Sequence, residues 1–428
     1  MFEVIAASVL ILLSLCLWVV FAKLTVRSWW SPFAFLSVLV LNIFIIRPIL
    51  LVSGIDVPYP EYLFENVYAD VIRAQLYVSL WLIFLILFYL LRMKNNLPTL
   101  FEHLLPQSPA EINFFRLRLL AISLLGVSLL IAIVTLAKFG SYSAVLIAAK
   151  LDKAMAGSTF VRQIPGLAMV ISAIYLSESL NKLRIVDVFI SIICVAGTMA
   201  VYYMWGAREA IAIIFLGFVI LLSVKSRTDK LSYTRILIGG CLLLIVSTYA
   251  YIARLQALGA SEEAIASRDL ITTICISFHM TRYDSFMLLV RDWDFPWGLR
   301  WGYDLLIGNL SAIPRFVWES KPEQVLPGAW FRQLYEPYSI NGWPFSVIGE
   351  WVISFSYLGV IVGSWVTIYI YYSLDRKYSG VSSMFSFYFL LFFCLTVVQN
   401  GSILQFLPEY ILWVLPMILI GRFIRGAS

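Results

Sequence analysis

Long apolar runs alternate along the chain with short polar breaks. Runs of spanning length fall at 4–22, 30–53, 72–91, 117–137, 162–180, 186–205, 209–224, 236–256, 350–373, 382–399 and 408–424. About 20 consecutive apolar residues cross the hydrocarbon layer of a bilayer as a helix. The pattern therefore predicts an all-α, polytopic integral membrane protein with about 11 transmembrane helices. One stretch breaks the rhythm. Residues 257–349 mix Trp, Tyr, Phe, Arg and carboxylates without a spanning run. This segment is expected to be a long loop whose short amphipathic helices lie on the membrane surface. Three regions follow: 1–256 with about eight helices and an outer loop at 138–160, the long loop 257–349, and 350–428 with about three helices.

The cations give the orientation. Lys23/Arg27, Arg92/Lys94, Arg116/Arg118, Lys182/Arg184, Lys225/Arg227/Lys230/Arg235, Arg376/Lys377 and Arg422/Arg425 all fall on one side if the N-terminus is outside and the C-terminus inside. The opposite loops 54–70 and 400–407 contain no Lys or Arg. That is the positive-inside pattern of a multi-pass protein. Its least regular point is the hairpin at 206–209, whose helices are short enough to be partly re-entrant. The first run lacks a basic region before it and is expected to be a retained helix.

Composition narrows the function. Charged residues make up 13% of the chain against about 25% in a soluble domain, and mean hydropathy is +0.89. The net charge of +6 sits in loop clusters that orient the chain, so no nucleic-acid partner is expected. Cys16, Cys194, Cys241 and Cys394 lie in apolar runs, with Cys275 near the long loop, so neither a disulfide framework nor a CxxC site is available. Two histidines exclude a His-rich metal centre. No GxGxxG, Walker sequence, heptad run or internal repeat occurs.

Ionisable residues in four places carry candidate chemistry. Arg208, in Gly206-Ala207-Arg208-Glu209, sits where two apolar runs meet on the outer side. It either pairs with Glu209 and the head groups, or offers its planar fork to phosphate oxygens. The long loop carries His279, Arg282 and Asp284 on an amphipathic stretch, then Ile313-Pro314-Arg315 with Trp318 and Lys321-Pro322. With Arg254, these place cations on the outer face, which reads either as a solvated mixed-charge surface or as an anion site. Glu350, in Pro344-Phe345-Ser346-Val347-Ile348-Gly349-Glu350-Trp351, enters a spanning helix. There it either complements the helix dipole or serves as a general base. Asp292-Trp293-Asp294 has a DxD spacing but too few oxygen ligands for a hard metal. The loop tryptophans, Trp318 and Trp343 among them, either stack on sugar rings or form an interfacial belt. Arg47-Pro48, within the second run, is expected to snorkel outward.

The Gly-x-Arg hairpin, the Arg-Tyr-Asp segment, the Ile-Pro-Arg-x-x-Trp-x-x-Lys-Pro block and the Pro-Phe-Ser-x-x-Gly-Glu turn together resemble bacterial oligosaccharide repeat-unit polymerases. These are the O-antigen polymerases of the Wzy type, to which the enterobacterial common antigen polymerase is similar in pattern. The resemblance covers most of the chain in topology and about residues 200–372 in motifs. It implies an inverting, metal-independent glycosyltransferase of the GT-C-like class without a cofactor. The enzyme would join undecaprenyl-diphosphate-linked units at the periplasmic face of the inner membrane. A chain-length regulator and a flippase would be its partners, besides membrane lipids. On this reading Arg208, Arg282 and Arg315, with Arg254 and Lys321 behind them, hold the diphosphate. Glu350, Asp284 or His279 serves as base, and Trp318 and Trp343 meet the sugars. The related O-antigen ligases use a loop histidine, but His279 lies upstream of the other motifs. A flippase or transporter is the non-enzymatic alternative. Against it stand the absence of a repeat and the gathering of charges at the outer rim.

Overall fold

The structure is a computed structural model. It describes residues 2–27, 31–95, 100–107, 111–141, 144–145, 159–204, 280–292, 299–310, 317–320, 327–338, 342–378, 384–393 and 410–425, with a few single positions between them. Every regular element among the described residues is helical, and seven helices are long and apolar enough to cross a membrane. These are α1 (Phe2–Thr25), α2 (Pro32–Val52), α3 (Val67–Asn95), α5 (Phe114–Phe139), α6 (Thr159–Asn181), α7 (Ile185–Tyr203) and α11 (Ser346–Tyr378). Shorter helices are α4 (Leu100–Leu104), α8 (Arg282–Asp292), α9 (Tyr303–Leu310), α10 (Pro327–Tyr335), α12 (Met384–Phe393) and α13 (Tyr410–Phe423). The run at 209–224, all but two positions of the run at 236–256, and the 206–209 hairpin lie outside the described residues.

Two compact units are present. In the first, α1 buries Ala7, Ile11, Ser14, Phe21 and Thr25 on one helical stripe. Val9, Leu12, Leu13 and Val20 remain exposed on its other faces. Such an apolar outer face suits lipid, not water. The stripe packs on α3, and α3 packs on α8 and α11. Phe21, Phe33, Tyr89 and Tyr371 fill one end of this unit, and Phe44, Trp81, Tyr283 and Phe286 the other. In the second unit α5 starts at Asn113, whose side chain accepts from Arg116 N–H, and stops at Gly140 with φ +79°. It packs on the α6–α7 hairpin, and α12 covers α6.

Backbone irregularities position the site. Residues Leu41–Ile46 of α2 form a π turn, and the Phe44 carbonyl there accepts from Gln75 Nε2 at 2.9 Å. Widened turns of this kind often mark functional sites. Gln75 also takes the Ser14 hydroxyl at 2.6 Å and meets the Tyr283 hydroxyl at 3.1 Å, so α1, α2, α3 and α8 share one buried polar thread.

The spanning run expected at 350–373 is not one straight helix. Ser356 adopts φ 53°, ψ −133° within α11. The chain doubles back there, so that Gly359 sits against the Trp351 carbonyl and Gly363 against the Trp351 indole. Only glycine allows approaches this close. The Ile353 carbonyl, which would bond onward across the break, accepts instead from Arg300 N–H at 2.9 Å. Residues 346–355 are therefore a separate half-helix, and the crossing helix proper begins after Ser356. Strain at such a residue costs about 1–3 kcal/mol. Ser356→Gly should raise stability by about 1 kcal/mol, read by thermal unfolding in detergent; an unchanged or lower midpoint would show the conformation to be unstrained.

Candidate functional site

The polar residues of the first unit gather around α8 and the half-helix of α11. Helix α8 was expected to lie on the membrane surface, but every residue from Arg282 to Val290 is buried. A helix covered on all faces belongs to a core. It packs against α3, α11 and the π turn of α2.

Arg47 explains why α8 sits there. Instead of snorkelling outward it is 1% exposed. Its Nε and Nη2 donate to Asp284 at 3.0 and 2.6 Å, Nη1 donates to Asp56, and Nη2 also reaches the Val57 carbonyl at 2.9 Å. Asp284 also accepts Tyr59 N–H at 2.9 Å and is fully buried. The arrangement is bidentate, the geometry in which guanidinium and carboxylate bind best. Burial pushes the Asp284 carboxyl up to about 6, while Arg47 and the Tyr59 amide hold it from rising further. Both Asp284 oxygens are thus engaged. Asp284, one of the expected bases, is turned onto Arg47 and the Tyr59 amide. A second anchor joins Arg291, which grips Asp292 at 2.8 Å through two nitrogens, bonds the Leu63 carbonyl at 2.7 Å and lies 3.6 Å from Asp70. Tyr335 of α10 donates to Asp292; burial and Asp292 raise its hydroxyl pKa, which keeps it a donor.

The candidate centre is at the start of α8 and on the half-helix of α11. Glu350 is buried on the half-helix, and the charged groups that act on it are Asp304 and Arg282. Arg282 is buried at the start of α8, two residues before the locked Asp284. Asp304 of α9 is held by Arg300 through two bonds of 2.6 Å. The Arg300 guanidinium rests over the Trp330 ring at 4.7 Å and the Tyr303 ring at 5.0 Å. Its backbone N–H is the one that ties to Ile353 on the half-helix. A buried carboxylate and a buried guanidinium thus stand on two helices that pack together, α11 and α8. That set can take a proton and can steady a negative charge.

Trp343 differs from expectation. It is 4% exposed, with Arg332 over its ring at 5.3 Å and with Tyr335 and Phe331 packed nearby. Its faces are covered by protein, so it supports the turn into the half-helix and offers no platform to a sugar. Trp318 is partly exposed and donates to the Ser320 hydroxyl at 3.1 Å. Arg208, Arg254, His279, Arg315, Lys321 and Asp294 lie outside the described residues. Among the described residues no three His, Cys, Asp or Glu side chains gather as metal ligands would.

Sequence reasoning brought Arg282 and Glu350 forward and missed Arg300, Asp304, Asp56 and Gln75. Arg300 and Asp304 carry one available signal, an ion pair at i,i+4 spacing. Comparison with protein-family models, with curated proteins and with solved structures finds no match for this chain.

Proposed function

We propose that the chain is a membrane-embedded glycosyltransferase that polymerises undecaprenyl-diphosphate-linked oligosaccharide repeat units at the periplasmic face of a bacterial inner membrane. Its 11 spans comprise the seven above, the runs 209–224 and 236–256, and the two C-terminal runs that include α12 and α13. The carrying observation is that Glu350 and Arg282 are both buried, on a half-helix and a helix that pack together and are each tied in place.

In this reading the hydroxyl oxygen of a single lipid-linked unit attacks the anomeric carbon of the growing chain. The new carbon–oxygen bond forms as the bond to the diphosphate breaks, with inversion. Glu350 accepts the hydroxyl proton. The departing undecaprenyl diphosphate carries the negative charge, and Arg282 stabilises it, with Arg208 and Arg315 as further donors. No metal or cofactor takes part.

The test is the lipopolysaccharide pattern of cells that lack the endogenous polymerase. Arg282→Ala should reduce the ladder of chain lengths to core capped by a single unit, while wild type restores the ladder. A normal ladder from a well-expressed Arg282→Ala protein would overturn the role of this arginine. Loss of the single-unit cap as well would mark a transporter instead.

A further inference from the structure

Two cations at the turn between α6 and α7 share one aromatic ring. Lys182 Nζ lies over the Phe114 ring of α5 at 5.1 Å, and the Arg184 guanidinium over the same ring at 4.9 Å. The turn brings them there. Arg184 N–H closes it onto the Ser179 carbonyl at 3.3 Å, with Leu183 in the left-handed region at φ 51°. Both cations are exposed, and neither forms an ion pair among the described residues. The acids nearby do not neutralise them. Asp187 is buried and taken by the Tyr175 hydroxyl at 2.7 Å and by Arg118 at 3.4 Å. Glu178 attracts Lys182 from one turn back on α6 but forms no ion pair with it. A ring draws a cation to its face, yet two cations drawn to one ring also repel each other. An anion shared by both relieves that repulsion.

The surface beside the pair selects the anion. Helix α7 begins at the residue after Arg184, and its Ile185, Val186, Phe189, Ile192 and Ile193 are all exposed. Their spacing places them on one face. That face runs from the cations along a helix long and apolar enough to cross a membrane. A free phosphate would meet the cations and leave the apolar face unused. A phospholipid whose headgroup is negative meets both. We propose that an anionic phospholipid docks on the α6–α7 turn, its phosphate held by Lys182 and Arg184 and an acyl chain laid along the exposed face of α7. The assignment needs only that these helices span a bilayer, and it is independent of the polymerase reading.

Thermal unfolding of the full chain in neutral detergent tests it, titrated with phosphatidylglycerol or with phosphatidylcholine of the same acyl chains. A ligand that binds the folded state raises the midpoint. Wild type should reach half-maximal stabilisation at about 30-fold less phosphatidylglycerol than phosphatidylcholine, about fivefold for each cation. Lys182→Gln combined with Arg184→Gln should abolish that preference and leave the midpoint without lipid unchanged, because both side chains are exposed. Lys23→Gln combined with Arg422→Gln removes the same charge from exposed cations elsewhere and should keep the preference. No preference in wild type, or one that survives in the Lys182/Arg184 variant, would overturn the proposal. So would an equal loss in the Lys23/Arg422 variant, since the preference would then follow overall charge. Inorganic phosphate at the same concentrations should not stabilise wild type. Stabilisation equal to that by phosphatidylglycerol would show an anion site that ignores the apolar face, and would sink the lipid assignment.

Discussion

Arg47→Ala should cost the fold about 3–5 kcal/mol, enough to remove most folded protein from the membrane. The guanidinium neutralises Asp284 and Asp56, both buried, and ties α2 to α8 and to the strand of loop that follows α2. Its removal leaves Asp284 without its charged partner at 0% exposure, and a buried carboxylate in that state is far from water. The lost attraction is the smaller part of the effect; the stranded charge is the larger. Arg47→Met combined with Asp284→Leu and Asp56→Asn should therefore recover much of the loss, because no buried charge is then left without its partner. Fluorescence-detected size exclusion and thermal unfolding in detergent measure both. If Arg47→Ala melted within about 1 kcal/mol of wild type, the cluster would be no structural anchor.

Part of this was legible in the sequence. The apolar runs mark the seven long helices of α1–α3, α5–α7 and α11, because length and hydropathy are enough to define a spanning helix. The Arg-Tyr-Asp segment and Glu350 stand out by their charge alone. Arg47 stood out too, as a cation within an apolar run, but its partner is 237 residues away and no local pattern names it. Position in the outer half of a helix is compatible with snorkelling and with a buried pair alike. The composition of α8, with charges at both ends, looks amphipathic, and only its packing against three helices shows it to be buried. The π turn at Leu41–Ile46 and the reversal at Ser356 are set by tertiary contacts, with Gln75 and Trp351 respectively, and leave no periodic trace. Glu350 therefore looked like the first turn of a crossing helix when it belongs to a half-helix of its own.

The second large effect concerns that residue. Glu350→Gln should lower kcat by about 10²- to 10⁴-fold, the range that a positioned general base contributes. Folding should be unaffected, since the amide matches the carboxylate in shape and removes a charge from a buried position. The alternative, that Glu350 only complements the half-helix dipole, predicts something different. A dipole contact is worth about 0.3–1 kcal/mol of stability and nothing in turnover. Activity and melting temperature measured on one preparation separate the two. A drop in melting temperature with activity per folded molecule retained would favour the dipole role.

The most direct measurement is polymerisation by the purified protein. Wild type and Glu350→Gln are each reconstituted in lipid nanodiscs with undecaprenyl-diphosphate-linked repeat unit as both donor and acceptor, in excess EDTA. The products are resolved by length on a gel. The account predicts a ladder of polymer from wild type and unreacted single units from Glu350→Gln. No ladder from folded wild type, or equal ladders from both proteins, would contradict it.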